Sequence, residues 1–75
     1  MISRDSFLTA FAGTFKEDEN SITLETRFRE LEEWSSMQAL IVIAAIDENY
    51  GVTIPEKDFR AASTVEELYQ LVANA

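Results

Sequence analysis

Seventy-five residues close one domain around one core, and a content of 47% hydrophobic and 27% charged residues is that of a soluble globule. Fourteen Asp and Glu against six Lys and Arg give a net charge of -8, which repels nucleic-acid phosphates and anionic lipid and draws in a partner that carries a basic patch. The absence of His and Cys excludes a Ser-His-Asp unit, a Cys-His unit and an ordinary zinc site, and two glycines are too few for a phosphate-cradling loop, so neither a catalytic residue nor a metal site is assigned.

The first residues lack the basic, apolar and small-residue segments of a signal peptide, and the expected compartment is the cytoplasm. The longest apolar stretch, Met37 to Ile46, falls well short of the roughly 18 residues of a spanning helix. Ser3 is placed to cap a first helix running to about Lys16, on which Phe7, Leu8, Phe11 and Phe15 form one apolar stripe. The acidic run Glu17, Asp18, Glu19, Asn20 resembles a calcium loop only faintly, without the glycine and closing Glu that such a loop needs, and reads as a solvated loop. A long connection then runs to Trp34, with Ile22, Leu24, Phe28 and Leu31 expected to tuck under the helices.

The second helix carries the clearest local signals. Ser35-Ser36-Met37-Gln38 has the form of a capping box and Gly51 is placed for a left-handed stop, which predicts a helix over Ser36 to Tyr50. Ala39, Val42, Ile43, Ile46 and Tyr50 project to one core-facing stripe. Met37, Ile41 and Ala44 fall on a second face, which is either extra burial in a tight core or a surface kept apolar for a partner. Val52-Thr53-Ile54 is extended before Pro55, which suits the first position of a short helix through Glu56 to about Arg60. Ser63 or Thr64, with Glu66 or Glu67 completing a capping box, opens a last helix whose Val65, Leu68, Tyr69 and Val72 repeat at core spacing. The fold class is therefore all-α, a bundle of three longer helices and one short helix in a single domain over residues 1–75, with a long loop between the first and second helices.

Trp34-Ser35-Ser36-Met37, with Pro55 of an Ile-Pro pair nineteen residues after Ser36, is where the chain resembles the acyl carrier protein family. The family's attachment signature is an Asp-Ser-Leu triplet opening the second helix, its serine at the same distance from the proline. That spacing selects Ser36 over Ser35. Phe28, eight residues before Ser36, and Ser63-Thr64-Val65 at the final helix start match further, and the resemblance covers roughly Thr26 to Val72.

The resemblance implies that a phosphopantetheinyl transferase, using coenzyme A and magnesium, joins a 4'-phosphopantetheine arm to the Ser36 hydroxyl, with Ser35 as the helix cap beside it. Such a chain is not an enzyme; acyl-loading, acyl-transferring and condensing enzymes of fatty acid or polyketide biosynthesis act on what it carries. A helix start favours a phosphate, and the arm supplies the thiol that the polypeptide lacks. Ser35 replaces the family's Asp and removes a charge that the transferase meets.

The family's second helix is acidic toward its partners, whereas here only Asp47 and Glu48 are acidic, and Gln38 and Ile41 occupy positions that are often acidic. Partner contact is accordingly assigned to Met37, Ile41, Ala44, Asp47 and Glu48, and an internal acyl pocket, expected between the second helix and the short third, to Val42, Ile46, Ile54, Phe59, Ala62 and Leu68. A peptidyl or aminoacyl carrier and an unmodified carrier-like adaptor are the alternatives. Acidity and the lack of Gly-Gly before the serine favour the acyl type, and the change at Ser35 motivates the adaptor. The protein is expected to be a monomer without affinity for nucleic acid or membrane.

Overall fold

Helix α1 spans Arg4–Ala12, opened by Ser3, whose Oγ accepts from the Ser6 N–H at 3.0 Å. This is a computed structural model, and it describes residues 2–16 and 19–75; Glu17 and Asp18 of the acidic run read as a solvated loop lie outside the described residues. The helix ends at Ala12, short of the expected Lys16. Gly13 is a poor helix former, and Thr14 turns on its own neighbours, its N–H and its hydroxyl both donating to the Phe11 carbonyl at 3.1 and 2.8 Å. Phe15 thereby leaves the helix yet stays buried, its ring 5.3 Å from that of Phe11.

The connection to the second helix holds two short 3-10 turns, Glu19–Ser21 and Phe28–Glu30. It tucks under the bundle as expected: Ile22 and Phe28 are buried and Leu24 and Leu31 pack half-buried against the core. Helix α2 spans Ser36–Tyr50 and is stopped by Gly51 at φ 67, whose N–H donates to the Asp47 carbonyl. A side chain at that φ would be strained, so glycine is the residue that ends this helix cleanly.

Helix α3, Glu56–Ala61, follows Pro55, which sits as the extended N-cap and not as the first helical residue. Helix α4 spans Val65–Ala73, and its capping box is complete: Thr64 Oγ1 accepts from the Glu67 N–H while Glu67 accepts from the N–H of Thr64 and of Ser63. The first two amides of α4 are met by the long loop, Val65 donating to the Thr26 carbonyl and Glu66 to that of Leu24. The donors at and just before this helix start are thus satisfied within the fold, which fixes the loop to α4.

The core forms where α1, α2 and α4 meet. Phe7 is 1% exposed and its ring lies 6.0 Å from Tyr50 of α2 and 5.8 Å from Tyr69 of α4. Arg4 closes one end with a two-pronged pair to Glu66 at 3.0 and 3.1 Å, and Tyr69 Oη donates to the Ile2 carbonyl. The described residues contain no strand, only an isolated bridge between Arg27 and Thr64. The fold is the all-helical bundle expected, with three longer helices and a short third.

Candidate attachment site

Trp34, Ser35 and Gln38 anchor the start of α2 from three directions. The half-buried Trp34 ring lies 4.9 Å from Phe28, 6.3 Å from Phe15 and 6.2 Å from Phe59, so the residue before the cap is wedged among aromatics of the loop, the α1 end and α3. Aromatic contacts of this kind add about 0.5–1.5 kcal/mol each to the area that they bury. Ser35 is extended, and its Oγ accepts from the Gln38 N–H at 3.1 Å.

The second half of the capping box read from the sequence does not form. Gln38 is buried, 6% exposed, and its Nε2 donates instead to Thr14, at 3.3 Å to the carbonyl and 3.0 Å to the hydroxyl. Thr14, left outside α1 by Gly13, offers two acceptors just where the amide arrives, and that tertiary partner displaces the local one. Gln38 therefore belongs to the interior and does not lie on the outer face of α2.

Between these anchors Ser36 faces out. It is exposed, and its hydroxyl makes no hydrogen bond among the described residues. The N–H groups of Ser36 and Met37 are likewise unpaired there, and no acidic residue sits in the first turn of α2, so the positive end of a fifteen-residue helix is uncompensated. An exposed nucleophilic oxygen beside unpaired amide donors fits a covalently held phosphate.

The outer surface of α2 continues from Ser36. Met37 is 67% and Ile41 41% exposed, and Ala44, Asp47 and Glu48 are exposed as well. Leu40, 64% exposed, joins them and had not been singled out from the sequence. The signal was present in the spacing of 37, 40, 41 and 44, which is one helical stripe; a leucine inside an apolar run reads as core unless that stripe is followed.

The six residues assigned to an acyl pocket are all buried, spread over α2, the segment before α3, α3 itself, the residue after it and α4. They share the core but not one cavity. Val42 and Ile46 border a void of about 10 Å³ that faces α1, Ile54 borders an open groove of about 370 Å³ with Leu71, and Ala62 borders another of about 170 Å³; Phe59 and Leu68 line none of the three.

The perturbed acids lie away from this site, on α4. The Arg4 guanidinium, and then Gln70, hold the Glu66 carboxyl below its ordinary range, and the Ser63 and Thr64 amides do the same for Glu67. Among the described residues no group of side chains is suited to a metal ion, and no helix is long and apolar enough to cross a membrane.

The family model described as a phosphopantetheine attachment site matches residues 5–72. The chain belongs to that family. It is accordingly a carrier domain for covalent 4'-phosphopantetheine, and carrier domains of this kind are acted on by phosphopantetheinyl transferases and biosynthetic enzymes without being catalysts themselves. No curated protein and no solved structure matches the carrier significantly.

Proposed function

We propose that this carrier is an acyl carrier protein whose 4'-phosphopantetheine arm is joined to Ser36, and that it presents acyl thioesters to enzymes of the fatty acid or polyketide type. The observation that supports Ser36 is the division of labour between adjacent serines: Ser35 Oγ is engaged as the helix cap, while the Ser36 hydroxyl is exposed and unengaged. In the attachment step the Ser36 oxygen bonds to the pantetheine-side phosphorus of coenzyme A, the pyrophosphate linkage breaks, adenosine bisphosphate departs, and the hydroxyl proton passes to a base on the transferase. The arm supplies the thiol on which cargo is held.

The unpaired amides of Ser36 and Met37 face the phosphodiester, and a negative charge there gains roughly 0.3–1 kcal/mol from the helix end. Partner enzymes meet the stripe of Met37, Leu40, Ile41 and Ala44, with Asp47 and Glu48 at its far end turned to basic residues on the partner. From Glu30 to Tyr50 the chain holds five acids and no base, so approach is steered by charge and slows as salt rises. The setting in which this reading places the protein is a cytoplasmic monomer.

Intact-protein mass after incubation with coenzyme A, magnesium and a broad-specificity transferase tests the assignment. One phosphopantetheine adduct is expected, lost in Ser36→Ala and retained in Ser35→Ala. The absence of any adduct turns the reading to an unmodified adaptor, and loading by an amino-acid ligase but not by a fatty-acyl ligase turns it to the aminoacyl type.

A further inference from the structure

Helix α3 is the element with the least to hold it. It is six residues long, its N-cap makes no side-chain bond, and Phe59 is its one buried residue. Its other end is fastened from far along the chain. Arg29, in the second 3-10 turn, donates from Nε to the Ala62 carbonyl at 3.2 Å and from its terminal nitrogen to the Phe59 carbonyl. Its guanidinium carbon also lies 5.1 and 5.2 Å from the ring centres of Phe28 and Phe59. A cation on the last carbonyls of a helix is favourable by both hydrogen bonding and dipole, and only a planar fork serves two carbonyls and two rings together.

We propose that Arg29 is a latch that holds α3 closed on the core, and that its release admits the cargo of Ser36 to the place between α2 and the short α3 expected from the sequence. The part concerning cargo rests on the acyl carrier reading; the latch itself does not. None of the three spaces described above is lined by more than two of the six buried candidates for an acyl pocket, so carrying a chain among all six requires two elements to separate. Helix α2 is tied to the turn that follows α1 through Gln38 and Thr14, and α4 is tied to the loop through Thr26 and Leu24 and to α1 through Arg4. Helix α3 hangs on one aromatic plug and one cation. The bundle therefore opens at α3, and opening breaks the hydrogen bonds that Arg29 donates.

Hydrogen exchange on the full chain, compared between wild type and Arg29→Lys, tests this. Lysine keeps the charge but not the fork. The amides of Phe59 and Ala62, which donate to the Pro55 and Phe59 carbonyls, are expected to exchange through an opening smaller than global unfolding, and to do so about 10-fold faster in the variant. A merely stabilising arginine speeds only amides released by global unfolding, such as that of Leu68. Unchanged Phe59 and Ala62 rates therefore overturn the latch.

On protein carrying the arm, two-carbon and eight-carbon thioesters are then cleaved with hydroxylamine. The latch requires the eight-carbon ester to become about 5-fold slower relative to the two-carbon ester in Arg29→Lys, as more of it lies inside. An unchanged ratio overturns the gating of cargo. Wild-type protein that accepts no arm would sink the carrier reading, and the exchange rates would still decide the latch.

Discussion

Replacing Gln38 by Glu tests the inward turn of this side chain, because it occupies a position that is often acidic in the family. Gln38 Nε2 donates twice to Thr14 and the residue is 6% exposed. A carboxylate cannot donate, faces two oxygens and must shed water to sit there. Two neutral hydrogen bonds are worth about 0.5–1.5 kcal/mol each, about 1–3 together, and the buried charge adds about 1 kcal/mol more, for a loss of about 2–4 kcal/mol at neutral pH. A chain of this size has roughly 4–11 kcal/mol in all.

With a urea slope of about 1 kcal/mol/M, the midpoint falls by about 2–4 M. Trp34, the sole tryptophan, reports the transition by fluorescence because it stands among Phe15, Phe28 and Phe59. Burial raises the pKa of the new carboxyl in the folded state. The penalty is therefore full above that raised pKa and fades as pH falls toward the ordinary Glu range, where the protonated acid donates to Thr14. Gln38→Leu, which loses the bonds without adding a charge, is expected to fall between wild type and Gln38→Glu and to show no such recovery. A Gln38→Glu protein as stable as wild type at pH 7 would refute the argument and return residue 38 to the outer face.

Two further outcomes are expected. Ser35→Ala removes the cap on the Gln38 amide and lowers stability by about 1 kcal/mol in urea unfolding. Acid unfolding, followed by circular dichroism, should begin as pH drops through the carboxylate range: Glu66 and Glu67 have depressed folded pKa values, so their contribution is whole above the ordinary Glu range and is lost as pH falls through the folded values. Glu67→Gln should flatten that acid limb, and an unchanged limb would show that the Ser63 and Thr64 amides do not depend on the carboxylate charge.

What could be read from the sequence was what local chemistry decides. The bounds of α2 follow from Ser35 and Gly51, and the start of α4 from Thr64 and Glu67, because each signal acts within four residues. The early end of α1 was not legible, since Phe15 continues the apolar spacing and only the competition of Gly13 and Thr14 for the last carbonyls stops the helix. The fate of Gln38 was hidden for a different reason. Its position satisfies the capping-box pattern, and the partner that outcompetes the box lies 24 residues away. The role of Arg29 was equally hidden, as the carbonyls that it holds are 30 and 33 residues downstream. Leu40 lay in plain spacing, but α2 is apolar on most sides, and a helix of that kind gives a weak periodic signal for which face is covered.

The same tertiary contacts explain why a hydroxyl at a helix end, ordinarily the part that frays, would serve as a fixed attachment point. Trp34 is wedged among three rings on one side of Ser36, and Gln38 is bonded inward on the other. The two residues between the cap and Gln38 are thus held at both ends while the Ser36 hydroxyl stays unengaged. Ordering one residue's backbone costs about 1–2 kcal/mol, and here the fold has already met that cost before any transferase arrives. On the proposed reading, a partner docked on Met37, Leu40 and Ile41 would find the Ser36 oxygen in a set position relative to those side chains, so contact made along α2 would not be spent on ordering the end proposed to carry the reaction.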